Sequence, residues 1–317
     1  MATVHRVAPL LLVLAFLASS CTHEAALEPE DAGADFSVQG EYRGGDPPLG
    51  VQVVARGGGE FDAVVLSGGL PGAGWDGASR EVVHGRRDGD RVRFDGPHEL
   101  EAAAGNLRGK GPGGAPFELA RVERRSPTLG AAAPAGAVVL FDGKGPGGFD
   151  GEVDERGLLA AGATTKERFQ SFDLHLEFRT PFMPTASGQG RGNSGLYLQN
   201  RYEVQVLDSF GEIGADNECG GIYEVAAPAV HMALPPLSWQ TYDIQFLAAA
   251  FDAAGARTAP ARVTVRHNGV VIHDAVELPG PTGLGDAESP EPGALYLQDH
   301  WNPVFYRNIW LLPRPGG

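Results

Sequence analysis

Residues 172–179 read Phe172-Asp173-Leu174-His175-Leu176-Glu177-Phe178-Arg179, a strict alternation of apolar and polar side chains. Only an extended chain sends successive side chains to opposite faces, so this run predicts a β-strand with one face in a core and the other in water. Further along, His267-Asn268-Gly269 separates Val263 and Val265 from Val270 and Ile272. Asn-Gly between alternating apolar residues is the strongest short-range hairpin signal, because both central positions of such a turn need a positive φ. Tyr242, Ile244 and Phe246, then Leu295 and Leu297, extend the pattern. No long amphipathic helix is found. The fold class expected is all-β, a two-sheet sandwich or jelly roll preceded by a small antiparallel β domain.

That preceding domain is read over 36–125, from short apolar runs such as Val51, Val53, Val54 and Phe61, Val64, Val65, Leu66 divided by Gly and Asp clusters. Residues 126–137, from Ser126-Pro127-Thr128 to Ala137, have linker composition, and the sandwich is expected over 138–314. The 46 Gly and 24 Pro among 317 residues fit turn-dense β structure.

Before these domains lie His5 and Arg6, then an uncharged run from Val7 to Ala18, then Ser19-Ser20-Cys21. This reads as a secretion leader over 1–20 and is too short to span a bilayer. Its ending resembles a bacterial lipobox, which implies lipidation of Cys21 and a place at the cell envelope. Cleavage without lipidation would instead release a secreted protein. The Ala-, Glu- and Asp-rich stretch 21–35 has no apolar period and is expected to be a flexible tether. With Cys21 committed, Cys219 stands alone, with no cation beside it to favour a thiolate, and reads as a packing residue.

The formal charge of -15 excludes the clustered basic surface that nucleic-acid binding requires, leaving neutral ligands such as sugars open. Gly-Lys-Gly-Pro-Gly-Gly at 109–114 and 143–148 lacks the Ser or Thr of a phosphate loop and reads as a turn. Gly192-Asn193-Ser194-Gly195 has Leu196 where a nucleophile elbow needs Gly, so Ser194 reads as a strand-entry residue. The acids Asp208, Glu212, Asp216 and Glu218, with Asn217, could supply oxygen ligands for calcium. They follow no ordered ligand spacing and read foremost as a solvated loop.

The richest polar pattern lies at 202–208 and 295–300. Period two puts Tyr202, Val204 and Val206 on one face and Glu203 and Gln205 on the other, while Tyr296, Gln298 and His300 oppose Leu295, Leu297 and Asp299. If both strands share a sheet, Glu203, Gln205, Gln298 and His300 line one groove. The plainer possibility is that they simply face solvent.

Leu140-Phe141-Asp142-Gly143, Gly192-Asn193-Ser194-Gly195-Leu196-Tyr197-Leu198, Tyr202-Glu203-Val204-Gln205-Val206-Leu207-Asp208, Trp239-Gln240-Thr241-Tyr242 and Leu297-Gln298-Asp299-His300 resemble, in order and spacing, the 3-keto-disaccharide hydrolase family over about 137–314. The resemblance implies a concanavalin-like β-sandwich with a concave sugar-binding sheet, acting on a small carbohydrate; contact with a membrane is expected only through the lipid anchor at Cys21. Trp301 stands where the family usually has Gly, and offers a stacking face for a sugar or a cap for the sandwich edge. Phe305-Tyr306 also departs from the usual basic and aromatic pair.

In a 3-keto-glycoside the carbonyl acidifies the proton on C2, so a base can remove it while the glycosidic oxygen leaves C1. Such a path needs a base, an acid for the leaving oxygen and stabilisation of the enolate. The resemblance puts His300 forward as base, since a histidine side chain ordinarily titrates near pH 6.5, and Glu203 as acid or orienting group. Asn193, Gln205, Gln298, Asp208 and Trp301 are the remaining sugar-binding candidates, and Lys166 or Arg168 would steady the negative charge. No cofactor is required by this scheme, with a divalent ion such as calcium left open. Direct hydrolysis by Glu203 and Asp208 ranks lower, because their odd spacing sends them to opposite faces. A lectin-like sugar-binding protein without chemistry is the alternative of a different class.

Overall fold

The computed structural model describes residues 24–103, 105–111 and 114–314. The expected leader 1–20 and Cys21 lie outside the described residues. After the only α-helix among the described residues, α1 (Gly33–Val38), come eight strands: β1 (Gly40–Gly44), β2 (Leu49–Gly57), β3 (Glu60–Ser67), β4 (Arg80–Asp88), β5 (Arg91–Phe94), β6 (Glu101–Ala103), β7 (Asn106–Lys110) and β8 (Pro116–Val122). Each pairs antiparallel with the next, and β1 pairs with β8, so the sheet closes into a barrel that leaves no open edge. Val51, Val53, Phe61, Ala63, Val92 and Leu107 fill its interior.

The second unit comprises β9 (Val138–Phe141), β10 (Phe149–Asp150), β11 (Leu159–Ala160), β12 (Ala163–Thr165), β13 (Ser171–Arg179), β14 (Ser194–Leu198), β15 (Tyr202–Val206), β16 (Gln240–Leu247), β17 (Ala250–Phe251), β18 (Arg257–Ala259), β19 (Ala261–His267), β20 (Val270–Leu278), β21 (Tyr296–Leu297) and β22 (Phe305–Arg314). They form a five-stranded sheet in the order β10-β12-β21-β14-β15 and a seven-stranded sheet in the order β11-β22-β13-β16-β19-β20, with β9 also on β22; β17 and β18 make a separate hairpin. One core joins the two sheets. Leu196, Val204, Val206 and Leu297 come from the first, and Phe172, Leu174, Phe178, Ile244, Val263 and Leu311 from the second. The expected hairpin is β19–β20, with Asn268 at φ 49° and Gly269 at φ 81° in its turn.

Two expectations are corrected. The polar side of β13 is not wet: His175 and Glu177 are buried, because the 126–131 segment is strapped across them. Thr128 Oγ1 donates to Asp243 Oδ2 (2.6 Å), Gly130 N to Glu177 Oε1 (2.5 Å), and Asn308 Nδ2 and Trp310 Nε1 to Ala131 O (3.1 and 3.0 Å). Nor are residues 24–35 a free tether. Ala26 bridges Phe182, Glu28 pairs with Arg179 (2.7 Å) and Arg156 (2.6 Å), and α1 carries Phe36 edge-on to Phe182 at 5.3 Å. Short acidic sequence without period is ordered here by ion pairs and one aromatic contact, which periodicity does not register.

Under the strap, Trp310 stacks on His175, and His175 Nδ1 meets Asp243 Oδ1 at 2.6 Å. Burial opposes its charged form, but hydrogen bonds to the Asp243 and Glu177 carboxylates prevail and raise its pKa. A histidine raised on folding stabilises fully below its unfolded value, near 6.5, and loses that contribution as pH climbs through the folded value. The melting-temperature advantage of wild type over His175→Asn is therefore expected to be largest at pH 6 and to shrink toward pH 9. A difference independent of pH would refute the charged His175.

Candidate functional site

The expected polar face exists. In the five-stranded sheet, Thr164 pairs with Tyr296, Tyr296 with Tyr197 and Tyr197 with Glu203, so these four form one row across β12, β21, β14 and β15. Their neighbours Ala163, Leu297, Leu196 and Val204 point into the core. The next row holds Gly195 and Gln205, with Gln298 N donating to Gly195 O at 2.7 Å. β15, which carries Glu203, and β21, which ends one residue before Gln298, thus share a sheet, separated by β14 rather than adjacent.

Gly195 decides the local geometry. A Cβ there would collide with Oε1 of Glu203 and come within 3.1 Å of Oε1 of Gln298, so the missing side chain lets both groups lie over the strand. Tyr197 OH donates to Glu203 Oε2 at 2.8 Å, and Gly283 roofs that side, where a Cβ would come within 3.0 Å of Tyr197 OH and 3.3 Å of Glu203 Oε2. Thr282 Oγ1 accepts from Glu203 N at 2.7 Å and holds the roofing loop down. Glu203 is left 3% exposed. This burial raises its pKa to about 7, aided by the Glu224 carboxylate and opposed by the Tyr197 hydrogen bond. The oxygen left over, Oε1, lies over Gly195, and the side-chain carbonyl of Gln298, close to the same glycine, has no partner. Two acceptors near one glycine, neither with a donor of its own, suit a proton on Glu203 or a ligand hydroxyl.

On the side away from the roof, Gln205 Nε2 donates to Gln189 Oε1 (3.2 Å), and Asn193 Nδ2 to Gln189 O (2.8 Å). Asn193 is fully buried, yet its Oδ1 has no partner. The loop after β21 is pinned here by Asn193 N donating to Asn302 Oδ1 at 2.8 Å. That loop carries His300, half-buried with its ring edge-on to Trp301 at 6.1 Å, while Trp301 is 88% exposed. β21 ends at Leu297, and Trp301 adopts φ 57° with its N–H on Asp299 Oδ1 (2.7 Å), so the sheet's alternation does not extend to His300.

Other expected residues lie elsewhere. Asp208 follows the end of β15 and is buried in an ion pair with Arg191 at 2.6 Å, which removes it from the groove and from a two-carboxylate scheme with Glu203. Lys166 is turned to Gly147 O at 3.1 Å, in the 143–148 turn, instead of toward Glu203. Arg168 lines a cavity of about 300 Å³ with Thr164, Asn200, Arg201, Asp286 and Tyr296, at the far end of the row of tyrosines. Of the acidic run considered for calcium, Asp208 is held by Arg191 and Glu212 by Arg56, and Glu218 accepts from Gly214 N and Ala215 N. Among the described residues no group of three or more His, Cys, Asp or Glu side chains is arranged to hold a metal ion. Cys219 is buried beside Tyr242 OH (3.3 Å), and burial pushes its thiol up to about 11. Ser194 is the first residue of β14 and donates to Gln298 O at 2.6 Å.

Tyr197 and Gly195 belong to the site although the sequence pattern alone did not single them out. Period two, applied to β14 as it was to β15, places Gly195 and Tyr197 on the Glu203 face. Gln189 comes from a single 3-10 turn (Gly188–Gly190) and Gly283 from a loop, both too short or irregular to show a period.

A protein from Parabacteroides distasonis, assigned as a glycosyl hydrolase, is similar at 32% identity and TM-score 0.53, over 57% of this chain and 85% of that one. Two further proteins of that organism with the same assignment match at 16% and 20% identity, covering 57% and 56% of this chain and 95% and 99% of theirs, with TM-scores of 0.41 and 0.39. No protein with a curated description matches. Residues 136–312, from just before β9 through most of β22, match the family of 3-keto-alpha-glucoside-1,2-lyase-like domains, and the chain belongs to that family.

Proposed function

We propose that the protein hydrolyses 3-keto-glycosides by elimination and hydration, on the polar face of the five-stranded sheet. The observation that carries this reading is the Glu203 carboxyl, buried, raised to about 7, with a free oxygen set over Gly195 beside the unpaired Gln298 carbonyl. A carboxyl of that pKa is about half protonated at pH 7 and can hand a proton to the departing oxygen without a large equilibrium penalty. Two antiparallel sheets packed on one core support a jelly-roll sandwich that binds sugar on its five-stranded sheet.

In this scheme a base removes the C2 proton and its electron pair forms C1=C2, as the C1–O bond breaks and Glu203 protonates the leaving alcohol. Addition of water across C1=C2 then returns the 3-keto sugar. His300, on the loop tied to Asn193 through Asn302, is the proposed base. Gln205, Gln298 and Asn193 position the hydroxyls. The leader and Cys21 support a place at the bacterial cell envelope. Purified protein is expected to release free glucose from 3-keto-trehalose and none from trehalose. His300→Ala should bind the oxidised sugar but not turn it over, and an unchanged rate in that variant removes His300 as base. Saturable binding by wild type with no product would favour the lectin reading instead.

A further inference from the structure

We propose that the cleft between barrel and sandwich is the subsite for the leaving ring, a neutral hexose, and that Arg56 of the barrel closes it; this rests on placing the oxidised ring over Glu203. The cleft has a volume of about 270 Å³, near the lower end of small-molecule sites, and is lined by Gln189, Arg191, Asp208, Glu212, Asn217 and Glu218 together with Arg56.

Three observations point to a ligand of that class. Arg191 is 3% exposed, held by Asp208 and reaching Ala55 O of the barrel (3.4 Å), yet its Nη2 is unpartnered and the residue lines the cleft. A buried guanidinium N–H without an acceptor costs free energy that a ligand hydroxyl would recover. Second, the lining mixes donors and acceptors with two guanidiniums against three carboxylates, a balance that disfavours phosphorylated or acidic sugars and suits hydroxyls that both give and take hydrogen bonds. Third, the cleft adjoins the groove. The Gln189 side chain lines it, accepts from Gln205 Nε2 and Asn193 Nδ2, and donates to Asn217 O at 2.7 Å. Gln205 shares a row with Gly195, over which Glu203 Oε1 lies, so the Gln205–Gln189 hydrogen bond joins the groove to the cleft.

The barrel's part is fixed by packing. Arg56 pairs with Asp62 of its own domain (2.6 Å) and with Glu212 of the sandwich (3.0 Å), while Val54 and Val64 are buried under Gly211. The barrel then acts as a specificity wall and not only as a spacer.

Two variants test this. Arg56→Ala removes the wall. Asn217→Trp fills the cleft from an exposed position whose side chain makes no hydrogen bond and whose carbonyl is kept. The ratio of kcat/KM for 3-keto-trehalose over methyl 3-keto-α-glucoside is expected to fall at least 10-fold in both. An unchanged ratio in Asn217→Trp overturns the subsite, and an unchanged ratio in Arg56→Ala alone removes the barrel from it. If wild type cleaves neither substrate, the elimination reading fails separately, and saturation-transfer NMR with free glucose decides: a signal abolished by Asn217→Trp supports the subsite, and no signal from wild type overturns it.

Discussion

Glu203→Gln is expected to lower kcat/KM on a 3-keto-glycoside by about 10²–10⁴, the usual worth of a positioned acid or base, while raising stability at alkaline pH. The amide still accepts the Tyr197 hydroxyl, so the fold loses no hydrogen bond. The sign of the stability effect follows from the raised pKa. A carboxyl that moves from 4.5 unfolded to about 7 folded stabilises fully below 4.5 and loses that contribution as pH rises through 7. Each tenfold weakening of the carboxyl as an acid corresponds to about 1.4 kcal/mol, so ionised Glu203 costs wild type up to ~3 kcal/mol at pH 8. The variant should melt higher than wild type at pH 8 and alongside it at pH 4. Lost activity joined to gained stability is the mark of a group kept in a costly environment for chemistry. A variant less stable at pH 8 would make Glu203 a structural residue.

The second large effect lies in the fold. Arg191→Ala strands the Asp208 carboxylate, whose side chain is 0% exposed, and is expected to destabilise by roughly 3–5 kcal/mol. For a domain of this size that is a fall in melting temperature on the order of 10 °C. Replacing both partners by apolar residues, as Arg191→Met with Asp208→Leu, should recover much of the loss, since the cost comes from an unpaired buried charge. Calorimetry of the three proteins distinguishes this from a sugar-binding role for Asp208, in which Arg191→Ala would raise KM and leave the melting temperature near that of wild type.

The groove was legible where the chain is regular. Alternation in 202–206 gives the faces of β15, and the Asn268-Gly269 turn gives the β19–β20 hairpin, because side-chain direction in a strand follows from counting. What counting could not supply is the third dimension. That β14 lies between β15 and β21, and that Gly195 there opens room for Glu203 and Gln298, depends on strand order. The strap over His175 and Glu177 was hidden for a similar reason: its residues 126–131 look like a linker and act through single hydrogen bonds to distant strands. Asp208 was misplaced because the strand it was counted on ends at Val206.

The most direct test of the central claim is the ¹³C NMR titration of the Glu203 side-chain carboxyl in ligand-free protein, assigned by its loss in Glu203→Gln. An apparent pKa near 7 that moves when a 3-keto-glycoside is bound is the predicted result. Titration near 4.5, indifferent to the sugar, would contradict the account.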